Sequence, residues 1–173
     1  MANILTPVPS NVAVDDGAKS LSIVWKHWFQ LLQTTINTLV SPKPCFSAYQ
    51  TVAQAVPFST MTKVTFTTID YNVTNAYNPA LSRFTPKVAG YYFVTGYVQV
   101  AATTTTIVVH VYKNGGTYKS LIWSPGATVS GIGGGCMVQM NGTTDYVEIY
   151  TGIGAAQNLN IWSYFQATFI QPL

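Results

Sequence analysis

Residues 83–100 read RFTPKVAGYYFVTGYVQV, and this stretch decides the fold class. Phe84-Thr85 runs into a turn signal, Pro86-Lys87-Val88-Ala89-Gly90, and then into Tyr91-Tyr92-Phe93-Val94-Thr95. The aromatic and β-branched pattern resumes at Tyr97-Val98-Gln99-Val100. Such a run lacks helix formers and favours a pleated, half-buried strand. Gly90, at its head, suits a tight turn where a side chain would clash. The stretch reads as a long central strand of an all-β domain.

Working outward, the same period persists. Downstream, Ile107-Val108-Val109-His110-Val111-Tyr112 is a strand that ends in Lys113-Asn114-Gly115. Asn-Gly is the strongest short hairpin signal, because both residues tolerate positive φ. Tyr118 to Trp123 follows as another strand, with Pro125-Gly126 expected to close it. The glycines of residues 131–135 read as a loose segment before Cys136-Met137-Val138-Gln139-Met140. Asn141-Gly142 turns the chain into Asp145-Tyr146-Val147-Glu148-Ile149-Tyr150. A Gly, Ala and Asn loop spans residues 152–160, and residues 162–170 form the last strand. Upstream, Cys45-Phe46-Ser47-Ala48-Tyr49-Gln50 and residues 63–69 read as strands, and residues 72–79 as a turn-rich step. Strands every 8 to 12 residues with turn signals between them argue a sandwich or barrel.

The arrangement Phe84-Thr85-x-x-Val88-x-Gly90-x-Tyr92-Phe93 resembles the signature of complement-type globular heads, which belong to the tumour-necrosis-factor-like jelly rolls. Further markers follow in the family's order: Phe46-Ser47-Ala48, Asn75-x-x-Asn78-Pro79, Lys113-Asn114-Gly115, Asp145-x-Val147, and the ending Phe165-x-Ala167-x-Phe169-Ile170-x-Pro172. The resemblance covers residues 45–173. It implies a jelly-roll β-sandwich that assembles as a homotrimer. Some relatives hold calcium near the three-fold axis, where Asp145 is the residue that would supply an oxygen; otherwise no cofactor and no metal site is expected.

Before the head the period changes. Residues 1–14 are rich in Pro, Val and Asn and read as an extended arm suited to docking along another surface. Asp15-Asp16-Gly17 breaks the chain, and a carboxylate there suits the cap of a following helix. Leu21, Trp25, Trp28, Leu32 and Leu39 then fall on alternating steps of four and three, with Thr35 in the remaining place. That is a heptad seam over one short α-helix. It reads either as an oligomerisation and attachment helix or as an amphipathic helix folded on its own domain. Ser41-Pro42-Lys43-Pro44 stops the helix and stiffens a linker. The expected organisation is therefore an arm and helix in residues 1–40, a proline linker in 41–44 and a head in 45–173. The opening, with Pro7, Pro9, Val14-Asp15, Gly17, Trp25, Trp28, Phe29 and Leu32, resembles the start of phage tail-fibre and virion proteins.

Composition narrows the function classes. Only 8% of the 173 residues are charged while 48% are hydrophobic, against about 25% charged in an average soluble domain. The low charge points to a large subunit interface; the other reading is a Thr- and Tyr-rich β surface that is soluble as it stands. The net charge of +3 is scattered over Lys63, Arg83, Lys87, Lys113 and Lys119. Nucleic-acid binding wants a clustered footprint, so no nucleic-acid partner is expected. The start lacks the basic and apolar regions of a signal peptide, and no apolar run is long enough for a bilayer, so folding in a host cytoplasm and no membrane insertion are expected. Two distant cysteines, Cys45 and Cys136, are expected as free thiols in that compartment.

The catalytic inventory is poor: five acids and two histidines. His27 lies in the helix and His110 among β-branched residues, and no triad order is present. Asp145 and Glu148 stand an odd number of residues apart, so on one strand they face opposite ways, which counts against a carboxylate pair. The chain is not expected to be an enzyme. Binding suits the residues better: Tyr71, Tyr77, Tyr118, Trp123 and Asn158 mark loops in which aromatic and small polar residues crowd together, a composition that suits sugar or protein surfaces. The expectation is a structural, binding protein of a phage virion, a homotrimer whose arm docks on another virion protein. Its head is exposed either to a host-surface receptor or glycan, or as a capsid decoration or head fibre without a receptor role. Two alternatives remain: an enzyme acting on surface polysaccharide, against which the scarcity of acids argues, and a bacterial complement-like surface module, against which the missing signal-peptide pattern argues.

Overall fold

The computed structural model describes residues 21–173, with the side chains of residues 104–105 and 125–128 outside the description. The arm of residues 1–14 and the Asp15-Asp16-Gly17 break also lie outside the described residues. The chain divides into two compact units at the Pro42–Lys43 boundary.

In the first unit, α1 (Ile23–Val40) runs from Ser22 to Ser41, whose backbone N–H closes the last turn on Asn37. The residue at the N-cap is thus Ser22, and Leu21, the first position of the seam, precedes the helix. Trp25, Trp28 and Phe29 form one aromatic cluster, with ring centroids 5.1 to 5.9 Å apart. The seam residues Trp25, Trp28, Leu32 and Thr35 are half-buried, while the other helix residues, Leu39 included, are exposed. Thr34, Thr35 and Thr38 turn their hydroxyls back onto carbonyls four residues earlier, each at 2.9 Å, which satisfies these hydroxyls within the helix. Among the described residues no helix is long and apolar enough to cross a membrane.

The second unit is a jelly-roll sandwich of two sheets. Its strands are β1 (Cys45–Tyr49), β2 (Gln54–Val56), β3 (Thr62–Lys63), β4 (Thr68–Val73), β5 (Tyr77–Asn78), β6 (Arg83–Phe84), β7 (Gly90–Lys113), β8 (Gly116–Met140), β9 (Val147–Ile153), β10 (Gln157–Leu159) and β11 (Tyr164–Pro172). The first sheet runs β4–β1–β11–β7–β8, using the first half of β7 and the second half of β8. The second sheet uses the other half of each, with β7 paired to β9 and β9 to β3 and β6. One 24-residue strand and one 25-residue strand therefore serve both sheets, several times the usual length of about 5 to 6 residues.

The crossing is visible in the side-chain parity of β7. Tyr92, Val94, Val98 and Val100 are buried, then Ile107, Val109 and Val111. The inward positions change from even to odd at the register shifts between Gln99 and Thr106. An extra residue at such a shift bends the strand and restores the apolar set to the inside. Pro125-Gly126 lies within this crossing on β8 instead of ending a strand, and Thr106 pairs with Pro125 there. Residues 131–135 are likewise strand, not a loose segment. The run expected at residues 63–69 is broken: β3 ends at Lys63 and β4 begins at Thr68, although Val64 and Phe66 between them are fully buried.

The core is organised around Phe46. Tyr77 stacks on it at 4.3 Å, Phe84 at 4.9 Å, and Phe165 meets it edge-on at 4.8 Å. Tyr77 donates its hydroxyl to the Phe66 carbonyl and Tyr92 to that of Val88, both at 2.7 Å, so neither buried phenol is left unsatisfied. Burial pushes both phenols well above their ordinary range, and for Tyr77 a hydrogen bond with Ser82 opposes it only in part. Truncating Phe46 to Ala would cost about 3–5 kcal/mol.

The signature stretch has a physical basis. Tyr92 pins the residue 86–89 turn through Val88, and that turn lies against Gly142. At φ +72° a Cβ on Gly142 would sit 2.4 Å from the Ala89 nitrogen. Gly90 is needed for close approach and not for a turn conformation: a Cβ there would sit 2.5 Å from the Gln171 carbonyl oxygen. The β7–β8 hairpin closes as the Asn-Gly dipeptide predicts, with φ +54° at Asn114 and +82° at Gly115.

Cys45 and Cys136 are both free thiols. Strands β11 and β7 stand between β1 and β8, which puts the cysteines roughly three strand spacings, about 14 Å, apart. A disulfide needs Cα atoms within about 7 Å. Alkylating the unfolded, unreduced protein and weighing it will show two modified cysteines; a mass with none modified would contradict this sheet order.

Candidate interaction faces

The register of the first sheet aligns its outward side chains in rows across five strands. One row is Thr68–Tyr49–Tyr164–Tyr97–Gly133, the next Tyr71–Ser47–Gln166–Thr95–Gly135, and the third Val73–Cys45–Thr168–Phe93–Met137. None of these rows contains a Lys, Arg, Asp or Glu. Phe93 is 41% and Met137 43% exposed, directly opposite each other. Tyr97 and Tyr164 stack at 5.5 Å with their planes 16° apart.

The glycines of β8 shape this face. A Cβ on Gly133 would lie 2.8 Å from the Tyr97 ring, one on Gly131 would lie 2.4 Å from the Tyr97 hydroxyl, and one on Gly135 would lie 2.6 Å from the Phe93 ring. The rings occupy the space that side chains on β8 would need. Aromatic cover of strand glycines keeps the backbone paired and leaves the face low and flat.

Charge is gathered on the second sheet. Glu148, 2% exposed, takes ion pairs from Lys63 and from Arg83, the latter at 2.9 Å. The Arg83 guanidinium lies 3.6 Å over the Tyr146 ring, a cation–π arrangement. Tyr112 and Tyr150 stack at 3.8 Å. Burial, then the Glu148 charge, pushes the Tyr150 phenol up. His110 pairs in register with Tyr150 and Ser120 on this sheet, and its Nδ1 has no hydrogen-bond partner among the described residues. His27 is an exposed residue of α1.

Asp145 lies in the turn before β9, not on the strand with Glu148. Its Oδ1 accepts from the Asn114 amide at 2.8 Å, and its Oδ2 takes the Asn141 backbone N–H and the Lys113 ammonium, each at 2.9 Å. Burial would raise this carboxyl, but the hydrogen bonds from Asn114, Lys113 and Asn141, together with the Lys113 charge, hold it below its usual range. Both oxygens are engaged in tying the Asn114-Gly115 hairpin to the Asn141-Gly142 turn. Among the described residues no group of three His, Cys, Asp or Glu side chains comes together as a metal cluster.

The aromatic loop residues picked from sequence scatter. Tyr71 is 49% exposed on β4 and belongs to the uncharged face. Tyr77 is 3% exposed and is a core residue stacked on Phe46, so it offers nothing to a ligand. Tyr118 and Trp123 are exposed on β8, Tyr118 with Lys113 and Lys119 about 6 Å from its ring. Asn158 is exposed on β10, opposite Ala55. Sequence reasoning passed over Phe93, Tyr97 and Tyr164 as a face, and over Trp162. Period-two alternation marks Phe93 and Tyr97 as outward, but which strands lie beside them is set by long-range pairing.

Residues 45–166 match the C1q domain family. Among solved structures, the globular domain of a zebrafish complement 1qA protein is similar over 76% of this chain and 100% of its own, with TM-score 0.59 and 18% identity. PRD1 vertex protein P5 is similar over 76% of this chain and 99% of its own, with TM-score 0.58 and 14% identity. Murine APRIL is similar over 73% of this chain and 98% of its own, with TM-score 0.54 and 12% identity. No curated protein matches the sequence.

The Asp145 arrangement predicts an acid response. Its stabilising contribution is complete above the unfolded carboxyl value, about 3.9, and disappears as pH falls through the lower folded value. Replacing Asp145→Ala should cost about 2 kcal/mol at pH 7. The gap between variant and parent should narrow as pH falls below the unfolded carboxyl value, read from urea unfolding across pH.

Proposed function

This chain belongs to the C1q domain family, and on that premise we propose that it is a homotrimeric structural and binding protein of a phage virion. Domains of this family are generally binding or structural modules, not enzymes, and typically form homotrimers. Residues 1–40 are the attachment arm and helix, residues 41–44 the linker, and residues 45–173 the head exposed to a host-surface glycan or protein. No cofactor enters this reading.

The observation that carries it is the uncharged outer face of the first sheet. Phe93 and Tyr97 lie against the glycines of β8, and with Tyr164 and Met137 they fall in rows without a Lys, Arg, Asp or Glu. A low, apolar face excludes water well when a second copy covers it. The second sheet, with its Glu148 and Arg83 pairs, is the side that suits solvent. The virion setting is supported by the opening residues and by the likeness of the head to a vertex protein. That likeness equally favours the second reading, a decoration or head-fibre protein without a receptor role.

Light scattering should give a mass near three times 18.8 kDa. EDTA should leave that mass unchanged. Phe93→Lys should release folded monomers, because an ammonium would be buried unpaired in the interface, whereas Phe58→Lys, outside the three rows, should not. A monomeric or dimeric parent at micromolar concentration contradicts the reading.

Deleting residues 1–40 should leave a folded trimeric head that no longer joins particles. Head trimers in excess should slow adsorption to host cells. Unchanged adsorption, with the intact protein still on particles, selects the decoration reading.

A further inference from the structure

Cations that are scattered along the chain meet on the second sheet. Lys63 on β3 and Arg83 on β6 both donate to Oε1 of Glu148 on β9, the strand that pairs with both of theirs. Glu148 is 2% exposed, whereas Lys63 and Arg83 keep 28% and 30% of their side chains in solvent. The acid is sunk beneath its two partners. Two cations against one carboxylate leave an excess of one positive charge at the surface. Among the described residues no further acid offsets it: Asp145 is taken by Lys113, and Asp70 lies on the first sheet.

Arg83 reaches Glu148 through Nε alone. Its two terminal NH2 groups have no hydrogen-bond partner among the described residues. The Tyr146 ring, 3.6 Å from the guanidinium carbon, holds the plane of the group. A held arginine fork with free corners is the donor set that a planar carboxylate takes through two parallel bonds. The Lys63 ammonium stands beside it, because both reach the same oxygen. Tyr150 is the register partner of Lys63, and Tyr112 stacks on Tyr150 at 3.8 Å. None of these residues belongs to the three uncharged rows, so this side stays open when a second copy covers the first sheet.

We propose that Lys63 and Arg83 bind the carboxylate of an acidic sugar, a hexuronate residue of a host-surface glycan, with Tyr112 and Tyr150 beside its pyranose ring. The inference rests on the reading of the head as a host-surface binding module and names its ligand class. One excess charge matches a monoanion, whereas a phosphate monoester brings between one and a half and two, on the order of its charge at pH 7. A neutral sugar leaves the fork unfilled. An acidic peptide brings carboxylates without a ring for the tyrosines, which supply rigid contact area at low entropic cost. A trimer repeats the seat three times, so weak single sites add through avidity.

Saturation-transfer NMR titrations of the full-length protein test it, with the methyl glycosides of glucuronate and galacturonate against methyl glucoside, glucose 1-phosphate and tetraglutamate. At least one uronide should bind, and more tightly than the other three probes. Arg83→Lys, which keeps the charge and loses the fork, should weaken that binding at least fivefold. Lys63→Gln and Tyr112→Ala should each weaken it at least threefold, and Lys119→Gln, which removes a charge elsewhere on the head, by less than twofold. Trimer mass and circular dichroism should be unchanged; if Arg83→Lys loses the trimer, Lys63→Gln decides alone. Failure of both uronides to bind overturns the proposal, as does equal or tighter binding of any other probe, unchanged uronide binding by Lys63→Gln, or an equal loss in Lys119→Gln. The parent reading is tested separately: trimers that slow adsorption without binding a uronide remove the sugar and keep the receptor role. Trimers that bind a uronide without affecting adsorption do the reverse.

Discussion

A strand that serves two sheets must change which of its side chains face inward. Strand β7 does this between Val100 and Ile107, where buried positions pass from even to odd. Everything else in the head depends on that change. Before it, β7 pairs with β11 and presents Phe93 and Tyr97 outward; after it, β7 pairs with β9 and presents His110 and Tyr112. Without the added residue the valines of one half would face solvent. The two outer faces are therefore products of one bend, and they differ in chemistry because each draws its neighbours from different parts of the chain.

That difference assigns work to each side. The first sheet lines up aromatic side chains and glycines and leaves out charge, apart from Asp70 at its far end. The second sheet concentrates the carboxylate of Glu148 with two cations and two tyrosine stacks. Removing one partner from a buried ion pair leaves an uncompensated charge, so this network is costly to break even though its net stabilisation is modest. A face built this way resists being covered by an apolar surface, whereas the first face invites it.

Much of the fold was legible because the decisive signals are local. Asn114-Gly115 closes the hairpin, and the Tyr91-to-Val100 run alternates as a half-buried strand does. The prolines at 42 and 44 fall where the two units part. What was not legible depends on partners distant in sequence. Residues 131–135 look loose until Tyr97 and Phe93 are seen to fill the space above them. Tyr77 looks like a loop aromatic until Phe46, on another strand, stacks on it. Asp70 looks like an ordinary surface acid, because a bulge opposite Ser47 has no sequence period of its own. The two heptad residues at the ends of the seam show the converse: Leu21 precedes the helix and Leu39 is 75% exposed, though the spacing alone ranks them with Trp25 and Trp28.

The position of β11 bears on how the head is made. It lies between β1 and β7, so the first strand of the head gains its inner neighbour only from the last. A chain emerging at about 5–20 residues per second carries β1 for several seconds with one edge unpaired. Until residues 164–172 clear the ribosome, Phe46 lacks Phe165 and the first sheet has a gap at its centre. Such an order of events makes closure of the first sheet the last step in building the head. It also makes the nascent head, with its exposed strand edges and low charge, a natural client for chaperones.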